Sequence, residues 1–210
     1  MITVAVITGS LMVGESVRAT LVQRVEERLG DTETILFSRY AFFDKTLADM
    51  ADFEGWARAA LISNGFISEG GRLIPVMVWG MDNQDIPSGG ARLNPALASE
   101  LSLANESAIV LRLPATGLIP TGSLFVTDNY TTSARLTYKG VQAVAEGGNM
   151  NLKNEQTLPF NVFINYTELA SLLEVEGKIN LLLSPAHLSE ESIASIWSPS
   201  QSGLKWRTRG

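Results

Sequence analysis

The segment FISEGGRLIPVMVW, Phe66–Trp79, decides how the chain is read. Its run Leu73–Trp79 is short and apolar, and Gly70-Gly71 ahead of it is a turn signal, so the pair reads as a strand entered from a tight turn. The same texture continues downstream. Ala108–Leu113, Ser123–Thr127, Ala134–Tyr138, Phe160–Ile164 and Ile179–Leu183 are short apolar or alternating runs. Between them stand Ser88-Gly89-Gly90, Pro114, Pro120, Gly122, Asp128-Asn129 and Gly147-Gly148. Short strands punctuated in this way predict a sandwich or barrel and not βαβ units. Two short helices interrupt the C-terminal part, one capped by Thr167 near Leu169–Leu173 and another from Ser189 to about Trp197.

Upstream of Phe66 the pattern is α/β. Ile2–Ile7 and Thr34–Phe37 read as short strands. Between them Val17, Leu21, Val25 and Leu29 recur every four residues, and Gly30 stands where a helix C-cap belongs. The stretch VGESVRATLV also alternates, but the run Glu26-Glu27-Arg28 and the glycine stop favour a helix. A second helix is expected from Leu47 to about Ile62, capped by Thr46, with Phe53, Trp56, Ala57, Ala60 and Leu61 as its buried stripe and Asn64-Gly65 as its end. The expected fold is therefore α+β: a short strand–helix region (1–65), a mainly-β, sandwich- or barrel-like region with two short C-terminal helices (66–198), and a basic tail (199–210). These form one compact domain plus an arm.

Composition narrows the function. A chain of 210 residues can bury a sizeable core without staples. Charged residues make up 18%, below the usual quarter, so part of the surface is suited to facing other protein. The net charge of −6 argues against general nucleic-acid binding and against an anionic membrane surface. There is no cysteine, which excludes disulfides and thiolate metal sites. The opening apolar run is too short, and lacks the basic start, for a signal peptide, so synthesis and first folding are expected in the cytosol.

The motifs give little chemistry. Gly9-Ser-Leu-Met-Val-Gly14-Glu15-Ser16 has the spacing of a phosphate loop, but Glu15 stands where a lysine would meet the phosphates. The wider stretch from Ile7 to about Asp44 resembles the opening of NADPH-dependent FMN reductases of the flavodoxin-like fold, matching at Gly9, Ser10, Leu11, Gly14 and Arg18. That resemblance implies an FMN-binding reductase in which Ser10, Ser16 and Arg18 hold the phosphate. Met12, Glu15 and Val17 depart from the family pattern, and the later segment that packs on the flavin ring has no counterpart. The single histidine, His187, cannot build a His-rich metal site, and no nucleophile elbow accompanies it. Asp82 and Asp85 lack the ligand density of a calcium loop and read as a solvated turn.

Interface candidates are easier to name. Trp56 and Trp79 lie in apolar patterns and read as core. Tyr130 follows a turn, and Trp206 lies in a tail that carries Lys205, Arg207 and Arg209 with no acid, leaving the remainder of the chain at −9. The tail is a docking arm or a frayed, solvated end. With no cofactor or metal implied outside the flavin reading, the leading expectation is a non-catalytic, self-assembling structural protein. Its concrete form is a phage virion component, such as a capsid, cement or tail-completion protein, whose partners are other subunits in a homo-oligomer or larger assembly. The alternative is the flavodoxin-like FMN reductase using the Gly9–Arg18 loop.

Overall fold

A computed structural model describes residues 32–38, 41–50, 58–82, 86–114, 131–152, 159–187, 189 and 191. Along these run strands β1 (Thr34–Phe37) and β2 (Phe43–Asp44), a helical turn at Leu47–Met50, and strands β3 (Arg58–Glu69), β4 (Arg72–Met81) and β5 (Gly90–Leu93). Helix α1 (Pro95–Leu101), strands β6 (Ala108–Pro114), β7 (Thr131–Val141) and β8 (Asn161–Asn165), helix α2 (Tyr166–Leu172), and strands β9 (Lys178–Ile179) and β10 (Leu181–Ser184) complete the order.

The hairpin of β3 and β4 organises everything else. Gly70 and Gly71 both have positive φ, +54° and +81°, which a two-residue hairpin turn of the I′ kind requires and side-chain-bearing residues resist. Ten paired residues follow, from Glu69↔Arg72 to Ala60↔Met81. On its far side β4 pairs with β8 in parallel, β8 with β5 antiparallel, β5 with β7 in parallel and β7 with β6 antiparallel. Strand β6 then returns to β3 at Phe66↔Arg112, Ile67↔Leu111 and Ser68↔Val110, closing a barrel of β3, β4, β8, β5, β7 and β6. The mainly-β expectation therefore holds at the level of a β-rich α+β fold with a closed barrel and two helices among the described residues.

The free edge of β3 is shared. Strand β10 takes positions 58–60 and β6 takes 66–68, while β1 adds to the outside of β10. At the gap between them, Ile62 has no strand neighbour on this edge, and the Asn180 side chain fills the place. Its Oδ1 accepts from Ile62 N–H at 2.7 Å and its Nδ2 donates to Ile62 C=O at 2.8 Å.

Alternation sends Leu61, Ile67, Ile74, Val76, Val78, Leu93, Ile109, Leu111, Leu136 and Ile164 to the barrel interior, which is packed and not a lumen. The opposite face of β3 and β4 carries a second cluster in which Ala60, Ile62, Met77 and Trp79 are covered by Ile86, Met150, Leu181 and Leu183. Trp79 is fully buried, stacks on Phe163 (centroids 6.2 Å apart) and donates its Nε1–H to Asn161 Oδ1 at 3.2 Å. The fully buried Asn161 also donates through Nδ2 to Gly148 C=O and Met150 C=O, fixing the loop that covers the tryptophan.

Helix α1 begins at Asn94, whose side chain accepts from Leu97 N–H, with proline at the first turn. Helix α2 is capped by Asn165, whose Oδ1 accepts from Thr167 N–H, so the expected cap at Thr167 moves two residues upstream. The larger departure concerns the helix expected at Leu47–Ile62. Among its described residues only Leu47–Met50 are helical, and Arg58 onward is strand. The run Ala59–Ile62 serves a strand buried on both faces, one inside the barrel and one in the second cluster. A strand buried on both faces loses its period-two signature and mimics a helical stripe. Gly65 ends nothing. It lies mid-strand, where a Cβ would come within 3.0 Å of Arg112 C=O, so glycine permits the close approach of β3 and β6.

Candidate functional site

Three places concentrate polar or exposed apolar chemistry. The first is a knot of charges where the small β2–β9 sheet meets the barrel. Lys45 pairs with Asp82, and its Nζ lies 4.2 Å from the centroid of the Tyr166 ring. Lys178 Nζ donates to Asp44 Oδ2 at 3.2 Å, and Tyr166 Oη donates to Lys178 C=O at 2.9 Å. Hydrogen bonds from the Thr46 hydroxyl and N–H, followed by the Lys178 pair, hold the Asp44 carboxyl below the usual aspartate range. Burial, then the Asp82 charge, pushes the Tyr166 phenol up. Each group already has a protein partner, so the knot fastens β2–β9 to β4 and α2 and leaves no ligating group spare. Asp82, expected in a solvated turn, is one of its exposed members, while Asp85 lies outside the described residues.

The second is an open cleft of about 650 Å³ beside α2, lined by Ser88, Thr132, Asn165, Thr167, Glu168 and Ser171 among others. Its main polar groups are spent locally. Asn165 caps the helix, and Glu168 Oε2 accepts Gly89 N–H at 2.9 Å. Among the described residues no group of three His, Cys, Asp or Glu side chains could hold a metal ion.

The third is the outer face of the barrel at the turn end of the β3–β4 hairpin. Register places Pro75, Phe66, Arg112 and Ser133 in one row across β4, β3, β6 and β7, and Leu73, Ser68, Val110 and Arg135 in the next. Directly opposed residues have Cβ atoms about 5 Å apart, so this is one continuous surface. Phe66 is 42% and Leu73 54% exposed; Pro75, Arg112, Ser133 and Arg135 are exposed, and Ser68 and Val110 half-buried. The β4 half is a continuation of the stripe that carries Met77 and Trp79, which the second cluster covers. Its upper end is bare. The β6–β7 half presents Arg112 and Arg135, neither of which forms an ion pair among the described residues, and the eight-residue grid holds no carboxylate.

The residues singled out from sequence lie elsewhere. Ser10, Ser16 and Arg18 of the flavin loop, and Tyr130, Lys205, Trp206, Arg207 and Arg209 of the interface set, fall outside the described residues. His187 is exposed. The face on β3, β4, β6 and β7 has no local sequence signature, because its members are scattered between positions 66 and 135 and are joined only by strand register.

No protein-family model matches the sequence, and no curated protein matches it. Solved structures do. The chain is similar to the crystal structure of the periplasmic region of MacB from Actinobacillus actinomycetemcomitans, at 8% identity and a TM-score of 0.45, covering 84% of each chain. It is also similar to the extracellular domain of the noncanonic ABC-type transporter YknZ from Gram-positive bacteria, at 9% identity and a TM-score of 0.43, covering 77% of this chain and 86% of that one.

Two expectations are corrected here. The virion component, expected in the cytosol or a phage particle, is withdrawn: the structures to which the chain is similar are a periplasmic region and the extracellular domain of a transporter, and neither is a capsid, cement or tail-completion protein. The FMN reductase alternative is corrected by the topology. A flavodoxin-like enzyme needs a doubly wound parallel sheet, whereas the described residues form a closed barrel in which four of the six strand contacts are antiparallel. No helix among the described residues is long and apolar enough to cross a membrane.

Proposed function

We propose that this chain is a protein-docking domain, in which the rigid barrel displays the β4–β3–β6–β7 outer face to a partner of different sequence. The observation that supports it is the bare upper half of the stripe: Phe66 and Leu73 stay exposed, while Met77 and Trp79, two and four residues further along β4 from Pro75, are covered. Clustered exposed side chains of this kind mark interaction sites, whereas single ones need no explanation. Side chains carried on paired strands of a closed barrel are also held in place before any partner arrives, which lowers the entropy cost of binding.

The partner is a different chain because of the arginines. A two-fold pairing through this face would bring the grid against itself and offer no carboxylate to Arg112 or Arg135. The homo-oligomer expected from sequence is therefore not part of this reading. The test is selection of random displayed peptides against the full chain, followed by rescoring on Phe66→Glu/Leu73→Glu. Selected peptides that lose binding to the variant support the docking face. Selected peptides that bind both proteins equally overturn it, as does a doubled solution mass that the same variant returns to monomer.

A further inference from the structure

Resting on the docking-face reading, we infer that the occupant is an amphipathic helix whose apolar stripe is flanked on one side by carboxylates. The apolar side chains Leu73, Pro75 and Phe66 stand on β4 and β3, and the cations Arg112 and Arg135, without an ion pair among the described residues, stand on β6 and β7, with Val110 between them. Strand spacing near 4.8 Å puts the centre of the apolar half roughly 10 Å from the centre of the cationic half. An α-helix with its side chains is about 10–12 Å across, so one helix laid on the face touches both halves at once. An apolar stripe at i, i+3, i+4 and i+7 meets Phe66 and Leu73, and acidic residues beside it reach the two guanidinium groups.

Charge makes this pairing selective. The chain as a whole carries −6, so its net charge disfavours an acidic partner, and attraction at this face comes from Arg112 and Arg135. The same balance disfavours an anionic bilayer, which would have to approach an acidic body to reach two arginines.

The experiment uses the full chain and fluorescein-labelled synthetic peptides with a leucine stripe along one helical face. The flanking positions carry Glu in one peptide, Gln in a second and Lys in a third. Binding is read by anisotropy, and helix formation by circular dichroism. The expected order of affinity is Glu above Gln above Lys, with helicity gained on binding. Arg112→Glu/Arg135→Glu should weaken the Glu peptide by about tenfold and strengthen the Lys peptide. Added salt should weaken the Glu peptide and leave the Gln peptide unchanged.

Equal affinity for the Glu and Gln peptides, with no effect of the arginine changes, overturns the acidic helix. If Phe66→Ala/Leu73→Ala still abolishes that binding, the docking face itself stands. Binding by no peptide, or binding indifferent to Phe66→Ala/Leu73→Ala, overturns the face and the inference together. Capture by phosphatidylserine vesicles but by none of the peptides, lost in the arginine variant, assigns the face to a membrane surface and overturns both readings. Each variant is checked for a parental circular-dichroism spectrum; all four positions are solvent-facing or at the barrel rim, where substitutions cost little stability.

Discussion

Asn180 replaces a missing strand neighbour, and its removal should be among the costliest single changes in the chain. The side chain is 6% exposed and makes both of its bonds to one residue, accepting from Ile62 N–H at 2.7 Å and donating to Ile62 C=O at 2.8 Å. Asn180→Ala leaves a buried donor and a buried acceptor without partners, at about 1–3 kcal/mol each, so the expected loss is about 2–6 kcal/mol. That is a large part of the roughly 5–15 kcal/mol that holds a typical domain together. Asn180→Asp separates the two bonds. The new carboxyl still accepts from Ile62 N–H, but when ionised it faces the Ile62 carbonyl with no proton to give. Its folded pKa must then rise above the unfolded value of about 3.9, so its relative stability is greatest below that pH and falls as pH rises through the folded value. Urea unfolding of the full chain, followed by tryptophan fluorescence, to which the buried Trp79 contributes, measures both variants. A loss under about 0.5 kcal/mol for Asn180→Ala at unchanged m, or an Asn180→Asp deficit that ignores pH, would refute the reasoning.

Further outcomes are expected at Gly80, at the Thr46–Asp44 pair and at Asp82. Gly80→Ala should lower stability by about 1–3 kcal/mol, because the added Cβ would stand 2.9 Å from Leu169 Cβ and Cδ2, and Leu169 is fully buried with nowhere to move; thermal unfolding reads it, and Gly80→Ala/Leu169→Ala should cost less than the sum of the single changes. Thr46→Val should raise the Asp44 pKa, seen by NMR titration, since the Thr46 hydroxyl is the main cause of its depression. A carboxyl held low stabilises the fold above its unfolded pKa and loses that contribution as pH falls through the folded value, so Asp44→Asn should flatten the dependence of stability on pH below about 4. Asp82→Asn should lower the Tyr166 phenol pKa in an ultraviolet titration; the raised phenol favours the fold below about pH 10 and loses that contribution as pH rises through its folded value.

The sequence made some elements legible and hid others for identifiable reasons. Leu73–Trp79 announced itself because Gly70-Gly71 bounds it and both neighbours in the barrel are regular strands. Arg58–Ile62 did not, because Ala60 and Ile62 face one cluster and Leu61 the other, which erases alternation. Gly90–Leu93 was lost inside what reads as a glycine-rich turn, being only four residues long. Asn94-Pro95 carried a readable helix start, a capping side chain followed by proline at the first turn, that the apolar pattern alone overlooked. The docking face was beyond any local reading. Phe66, Leu73, Arg112 and Arg135 are ordinary outward residues of alternating strands, and only the closure of β6 onto β3 sets them side by side.

The most direct measurement is an amide chemical-shift map of the full chain titrated with the leucine-striped, Glu-flanked peptide. If the barrel is a docking domain, the shifts concentrate at Phe66, Ser68, Leu73, Val110, Arg112 and Arg135, and saturate together. Shifts concentrated instead at Thr167, Ser171 and the rest of the cleft beside α2, or no shifts at all, would contradict it.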